Sequence, residues 1–173
     1  MSLTLVLGGA RSGKIAYAEN LAAKSGNTVI YVATAEVLDG SIKKRVELHR
    51  ESRPAEWETV ESPLSLAKTV QGFAGEGVTL LVDCLTMWVT NLLCAENKDL
   101  LKQEIDSLIK VLPELAGDII LVSNEVGLGV IPMGELTRDY VDTAGKLHQH
   151  VAAQADNVVM VVAGLPMAFK GAC

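Results

Sequence analysis

The chain has 173 residues, of which 49% are hydrophobic and 21% are charged, and its formal net charge is −6. This length suits one domain, and this much apolar sequence can bury a sizeable core, which excludes a disordered or fibrous protein. The acidic balance argues against a nucleic-acid-binding surface, which would need a basic stripe. We therefore expect a single domain over residues 1–173 with no nucleic-acid partner.

The amino terminus and the cysteines favour a cytoplasmic protein without a membrane span. The first ten residues, "MSLTLVLGGA", are apolar but lack the basic start of a signal peptide, so we interpret them as a first strand. No apolar run reaches the length that crosses a bilayer. The three cysteines are odd in number and form no CxxC pair, which favours free thiols over a disulfide framework or a zinc site.

Short apolar runs rich in β-branched residues recur along the chain and predict strands. They are nearly continuous rather than alternating, which is typical of a parallel sheet covered on both faces. The predicted strands are 3–8, 28–34, 78–83, 118–123 and 157–164. Segments with helical spacing lie between them, at 14–26, 39–52, 62–75, 97–117 and 134–155. This alternation predicts an α/β domain with right-handed crossovers.

Three local signals refine these elements. Gly26 follows the first helix and is a plausible glycine terminator, whereas Ser62 and Pro63 form a candidate start for the third helix. The stretch 35–62 is less regular than the rest, and its "AEWETVE" is expected to be an extended piece at the edge of the sheet or projecting from it.

The segment "GGARSGKI", residues 8–15, follows the first strand and precedes a helix, as a phosphate-binding loop does. Glycines let backbone N–H groups turn towards a phosphate, and Lys14 would reach the β- and γ-phosphates. Ile15 departs from the pattern, because that position normally carries a serine or threonine hydroxyl for magnesium. The predicted loop consists of Gly8, Gly9, Ala10, Arg11, Ser12, Gly13, Lys14 and Ile15.

Two later stretches follow predicted strands and would lie at the same edge of the sheet. Asp83 ends "TLLVD", where phosphate-loop enzymes place an acid that holds Mg²⁺ directly or through water. The segment "SNEVGLGVIP" (123–132) predicts a structured loop in which Glu125 would contact a ligand, although a simple tight turn explains the pattern equally well.

His49 lies among arginines in "RVELHRESRP". Neighbouring cations disfavour an imidazolium, so this ring would be neutral and could attack phosphorus. A solvated, charged helix that happens to carry one histidine is the alternative, and the pattern alone favours it. His148 and His150 are two residues apart on a helix and make a poor metal pair.

Taken together, the chain resembles the bifunctional adenosylcobinamide kinase / adenosylcobinamide-phosphate guanylyltransferases of cobalamin biosynthesis. The resemblance rests on "GGARSGK", "YVATAE", "RVELHRESRPAEWETVE", "LLVDCLTMWVTNLL", "LVSNEVGLGVIP", "RDYVDTAGKLHQ" and "VVMVVAGLP", in this order. It implies a P-loop NTPase-like (RecA-like) α/β fold with a mostly parallel sheet flanked by helices. It also implies two reactions: phosphorylation of the aminopropanol hydroxyl of adenosylcobinamide, and transfer of GMP from GTP to that phosphate.

The resemblance assigns roles to individual positions. His49 corresponds to the histidine that carries GMP, which favours the nucleophile over the solvated helix. In the family two histidines are often adjacent, whereas Leu48 replaces the first one here. The nucleotide-binding positions implied outside the loop are Ala33, Thr34, Ala35, Arg50, Glu51, Ser52, Arg53, Glu61 and Asp83.

The resemblance further implies Mg²⁺ as cofactor, GTP and ATP as substrates, a corrinoid as the other substrate and a homotrimer as the assembly. Because Ile15 cannot coordinate a metal, we expect it to pack the first helical turn against the sheet. Two alternatives to the bifunctional enzyme stay open: a plain P-loop small-molecule kinase and a regulatory GTP-binding module.

Overall fold

The structure is a computed structural model and describes residues 1–35, 54–97 and 99–171. The predicted helix at 39–52, with His49 and residues 50–53, lies outside these ranges. Within them, a seven-stranded sheet is flanked by helices on both faces. The strands are β1 (Ser2–Gly8), β2 (Thr28–Ala33), β3 (Glu58–Glu61), β4 (Val78–Asp83), β5 (Asp118–Asn124), β6 (Asn157–Val162) and β7 (Leu165–Lys170).

The helices connect the parallel strands, with two of them between β4 and β5. They are α1 (Lys14–Lys24), α2 (Leu66–Phe73), α3 (Leu85–Cys94), α4 (Leu100–Val111) and α5 (Glu135–Gln154), with a 3₁₀ turn at Leu112–Glu114 after α4. The strand order is β3-β2-β4-β5-β1-β6-β7, and every neighbouring pair is parallel except β6 and β7. The predicted α/β fold with a mostly parallel sheet is therefore confirmed, and the predicted edge piece is strand β3.

Two apolar clusters cover the two faces of the sheet. The larger one contains the fully buried Trp88 of α3, whose indole Nε1 donates a hydrogen bond of 2.7 Å to the carbonyl of Leu64. The smaller one packs Ala18 and Ala22 of α1 against strand residues such as Tyr31 and Val161. Burial on both faces explains why the strand sequences are apolar throughout.

Two elements, α3 and β7, were not predicted from the sequence, and two element boundaries were misplaced. Helix α3 was not predicted, and the predicted strand 157–164 ends at Val162, where Ala163 (φ 52°) and Gly164 (φ 80°) form a tight hairpin turn into β7. Helix α2 begins at Leu66 rather than at Ser62, because the Ser62 N–H donates to the carbonyl of Ala33 at 2.8 Å and so continues the strand pairing.

The other local expectations agree with the structure. Gly26 follows the last turn of α1 with φ 74°, as expected for a glycine that ends a helix. None of the helices in the described ranges has the length and apolar character needed to cross a bilayer.

Gly145 lies inside α5 where a side chain has room, so Gly145→Ala should stabilise the protein. A Cβ added there meets no heavy atom within 4 Å. Alanine should raise the free energy of unfolding by about 0.5–1 kcal/mol, since glycine loses more backbone entropy on folding. Urea and thermal unfolding measure this change.

Gly117→Ala is the matched contrast. Its φ is 83°, and a Cβ there would lie 2.5 Å from the carbonyl oxygen of Val78. This variant should lower the unfolding midpoint. If the unfolding midpoint rose in both variants, or fell in both, the local geometry described for one of the two glycines would be incorrect.

Candidate active site

The predicted phosphate loop joins the end of β1 to the start of α1. Two backbone hydrogen bonds hold it between the neighbouring strands. The Glu125 N–H, just after β5, donates to the carbonyl of Gly8 at 3.1 Å. The Gly164 N–H, in the β6–β7 turn, donates to the carbonyl of Ser12 at 2.7 Å. The loop is therefore fixed at both ends by residues distant in sequence.

Two glycines of the loop are required by its geometry. A Cβ on Gly8 would lie 2.7 Å from the carbonyl oxygen of Val161 and would collide with the Ser12 side chain. Gly13 has φ 94° and caps the start of α1. Arg11 also has a positive φ, of 56°, which is uncommon for a residue with a side chain. These conformations turn the chain tightly enough for backbone N–H groups to face a phosphate.

Lys14 is the first residue of α1 and is only 6% exposed. Its ammonium donates a 3.1 Å hydrogen bond to the carbonyl of Gly9, so it spans the loop. Burial lowers the pKa of Lys14 from its usual value, while Cys84 and Asp83 act in the opposite direction. The first turn of α1 carries no acidic residue, so the positive end of the helix dipole is not neutralised. The loop thus concentrates positive potential where an anion would bind.

Ile15 packs as the sequence predicted. It is partly buried and contacts the apolar cluster between α1 and the sheet, alongside Tyr17 and Leu21. A branched hydrocarbon offers no oxygen to a metal. At this position the loop consequently offers no side-chain ligand to a metal.

Asp83 ends β4, and its carboxylate accepts a hydrogen bond from the Tyr31 hydroxyl. The next residue, Cys84, is tied to β2 by the Thr34 hydroxyl, which accepts from the Cys84 N–H at 2.8 Å and donates to the Cys84 carbonyl at 2.6 Å. Burial, aided by the charge of Asp83, raises the pKa of the Cys84 thiol to about 11, so it is neutral at pH 7 and a poor nucleophile. Asp83 therefore offers a carboxylate at this edge of the sheet.

The strand register brings several predicted positions together. Ala33 pairs with Asp83 on one side and with Glu61 on the other, so the carboxyl ends of β2, β3 and β4 are level. Thr34 and Ala35 follow directly. Gly8 pairs with Asn124 of β5, which places the loop at the same edge. The predicted nucleotide positions that fall in the described residues, 8–15, 33–35, 61 and 83, therefore share one edge of the sheet.

These residues fit a magnesium ion only together with a nucleotide. Mg²⁺ is usually held by one or two carboxylates plus substrate phosphates and waters. In residues 1–35, 54–97 and 99–171, no group of three or more His, Cys, Asp or Glu side chains is placed to hold a metal. Asp83 could supply one ligand near the loop, and the triphosphate would supply others.

The sequence missed a polar cluster beside the loop. His148 of α5 is 7% exposed, and its Nε2 lies 2.8 Å from the Ser123 hydroxyl of β5. Its Nδ1 faces a Glu125 carboxylate oxygen at 3.8 Å. No sequence signal joins these residues, since His148 and Ser123 belong to different elements 25 positions apart. His150 is exposed, so the two histidines do occupy different faces.

Asn91 of the unpredicted helix α3 also supports the site. Its amide donates to the carbonyl of Thr34 at 2.8 Å and to that of Pro63 at 3.0 Å. These bonds hold the chain in place where it leaves β2 and β3. A buried asparagine that satisfies two carbonyls fixes their positions more firmly than apolar packing would.

Solved structures share this fold at low sequence identity. The chain is similar to the flagellar accessory protein FlaH from Methanocaldococcus jannaschii, with a TM-score of 0.52 and 14% identity, over 98% of this chain and 78% of that one. It is also similar to the RadB recombinase, with a TM-score of 0.52 and 16% identity, over 92% and 73% of the two chains. These likenesses confirm the P-loop NTPase-like, RecA-like fold.

Sequence comparisons are more specific. The family model described as cobinamide kinase / cobinamide phosphate guanyltransferase matches residues 4–169. The bifunctional adenosylcobalamin biosynthesis protein CobP of Pseudomonas aeruginosa is 55% identical over 96% of both chains. The bifunctional protein CobU of Escherichia coli is 36% identical over 97% of this chain and 99% of its own length. The chain therefore belongs to the cobinamide kinase / cobinamide phosphate guanyltransferase family.

Proposed function

We propose that this single-domain protein phosphorylates adenosylcobinamide with ATP or GTP, and then transfers GMP from GTP to the new phosphate through a guanylyl-histidine at His49. Its family and its relatives, which are named as bifunctional, support the two reactions. The observation that carries the proposal is the shared sheet edge, where the loop, Lys14 and Asp83 meet. One triphosphate cradle would serve both steps.

In the kinase step, the loop amides and Lys14 hold the triphosphate while Asp83 helps to place Mg²⁺. The metal, when bound, neutralises charge on the phosphates. Phosphoryl transfer depends mainly on such positioning and charge neutralisation. The acceptor hydroxyl attacks the γ-phosphorus, the bond to the bridging oxygen breaks, and a nucleoside diphosphate leaves.

In the guanylyl step, a ring nitrogen of His49 attacks the α-phosphorus of GTP. A P–N bond forms, the bond between the α-phosphorus and the bridging oxygen breaks, and pyrophosphate leaves. A phosphate oxygen of adenosylcobinamide phosphate then displaces the histidine and yields adenosylcobinamide-GDP. Splitting one displacement into two is nucleophilic catalysis. Arg50 and Arg53, one and four positions after His49 in the sequence, would favour the neutral ring and bind phosphate oxygens.

His49→Ala should abolish covalent labelling by α-³²P-GTP, because the ring nitrogen that forms the P–N bond is gone. The wild-type label should be acid-labile and alkali-stable. Denaturing gels and intact mass spectrometry measure the adduct. His150→Ala is a matched control on an exposed face of α5 and should label normally. A GMP adduct on the His49→Ala protein would contradict the proposal, and an unlabelled wild-type protein would favour a plain kinase.

Ile15→Ser should raise kinase turnover more than guanylylation and should lower the Mg²⁺ concentration that the kinase needs. The hydroxyl would offer a metal ligand at the start of α1, and a bound metal would neutralise charge on the phosphates during γ-phosphoryl transfer. Guanylyl transfer breaks the α–β linkage and has a protein nucleophile in place. Both activities are measured across a Mg²⁺ titration.

Lys14→Ala, one position earlier, provides the contrast. It should lower both activities by about 10²-fold, since both use the same cradle. Equal effects of Ile15→Ser on the two reactions would show that the missing hydroxyl is compensated. Loss of only one activity in Lys14→Ala would require two separate nucleotide sites.

We also propose that the protein is a cytoplasmic homotrimer, as its family resemblance implies. The proposed reactions need ATP and GTP, which agrees with a cytoplasmic location. The loop 126–133 supports an assembly, because Val126, Leu128, Val130, Ile131 and Met133 are exposed there. Contiguous exposed apolar side chains mark interaction sites. Light scattering should give three times the chain mass of 18.4 kDa, and a monomeric mass would refute the trimer.

A further inference from the structure

Glu125 stands next to the phosphate loop at the end of β5. Its backbone N–H holds the Gly8 carbonyl at 3.1 Å, so its position is tied to the start of the loop. Its side chain is 20% exposed, which leaves it reachable from solvent and from a substrate. One carboxylate oxygen accepts from the Gly127 N–H, which restricts the rotamer, and the other faces His148.

His148 is placed to orient that carboxylate. Its Nε2 lies 2.8 Å from the Ser123 hydroxyl, and its Nδ1 lies 3.8 Å from Glu125 Oε2. Burial lowers the pKa of His148, although Glu125 acts in the opposite direction, so the ring is neutral near pH 7. A neutral ring carries one N–H. If the Ser123 hydroxyl donates to Nε2, the proton of the neutral ring sits on Nδ1, which lies 3.8 Å from the carboxylate.

The cluster is anchored to the rest of the site through Thr86 of α3. The Thr86 hydroxyl lies 3.4 Å from that of Ser123 and accepts the Asn124 N–H at 2.8 Å. Helix α3 begins directly after Asp83 and Cys84. This network thus connects the end of β4 to Asn124, the residue before Glu125. The Glu125 carboxylate, bonded to the Gly127 N–H and flanked by His148, has the restricted geometry that proton transfer requires.

The two reactions place different demands on such a group. The kinase acceptor is an alcohol, which must lose its proton as it attacks phosphorus. The guanylyl acceptors are a neutral imidazole and an ionised phosphate, which need no base. We propose that Glu125 is the general base of the kinase step and that His148 is its positioning residue. This role rests on the kinase half of the proposed function and is independent of the guanylyl-histidine.

Proton transfer to Glu125 accompanies phosphoryl transfer to the acceptor. The acceptor O–H transfers its proton to a Glu125 carboxylate oxygen while the acceptor oxygen forms a bond to the γ-phosphorus. The bond from the γ-phosphorus to the bridging oxygen breaks, and its electron pair leaves with the nucleoside diphosphate. The proton then passes to solvent from the exposed side of Glu125. Catalytic hydrogen bonds commonly shorten when substrate binds, so the 3.8 Å separation to His148 is compatible with this role.

Glu125→Gln tests the base. Glutamine keeps an oxygen for the Gly127 N–H but cannot accept the proton. Kinase kcat, measured as ADP formation with cobinamide and ATP, should fall by about 10²-fold or more with little change in the KM for cobinamide. Pyrophosphate release from GTP with cobinamide phosphate should stay at the wild-type rate. Glu114→Gln, on the exposed turn after α4, is the matched control and should leave both activities unchanged.

Three results would overturn the assignment. Equal loss of both activities would mean that Glu125 only holds the loop. A raised KM at constant kcat would mean that Glu125 binds the corrinoid rather than deprotonating it. Full kinase activity of Glu125→Gln would mean that Glu125 has no role in the kinase step. A wild-type protein that forms no ADP would instead refute the proposed kinase function itself, and the base with it.

His148→Gln tests the positioning role. The glutamine amide can replace Nε2 at Ser123 but places no N–H towards Glu125. Kinase kcat should fall less than in Glu125→Gln, with guanylyl transfer retained, and the double variant should match Glu125→Gln alone. Additive losses in this double-mutant cycle would show that the two residues act separately. Thermal unfolding of each variant separates lost catalysis from lost folding.

Discussion

The site depends on two backbone hydrogen bonds that hold the phosphate loop between β5 and β6. Gly8 receives one from Glu125 N–H and Ser12 receives the other from Gly164 N–H. Neither bond involves a side chain, so sheet register positions the loop, while Gly8 and Gly13 give it the backbone conformation that it needs. The order β5-β1-β6 places a partner on each side of the loop. A change in the register of either strand would move the N–H groups that face the phosphate.

Most of the fold could be predicted from the sequence, because strands buried on both faces leave a clear apolar signature. Helix α3 was not predicted, although its buried Leu85, Trp88, Val89 and Leu92 recur at i, i+3, i+4 and i+7, the spacing of one helical face. Strand β7 was also not predicted, for a different reason. All six of its residues are exposed, and the turn before it lacks the Asn-Gly or Asp-Gly signature of a hairpin.

The site was predictable where its chemistry is local in sequence. The loop and Asp83 follow directly from strand-end motifs, and parallel register then brings them together. The cluster of Ser123, His148 and Glu125 was not predictable, because α5 approaches β5 only after the chain has folded. The helical spacing of Ala144, Leu147 and Val151 places His148 on the buried face of α5, but it does not show that the ring meets Ser123 and Glu125. The role of His49 stays a prediction.

The binding of Mg²⁺ would depend on the same arrangement. Ile15 gives no oxygen ligand, and Asp83 gives a carboxylate already engaged by the Tyr31 hydroxyl. A single carboxylate binds Mg²⁺ weakly, since the ion dehydrates reluctantly and prefers six oxygens in octahedral geometry. The phosphates of the nucleotide must therefore provide much of the coordination. Metal and nucleotide should then bind as a unit, with the buried Lys14 charge and the loop amides determining where that unit sits.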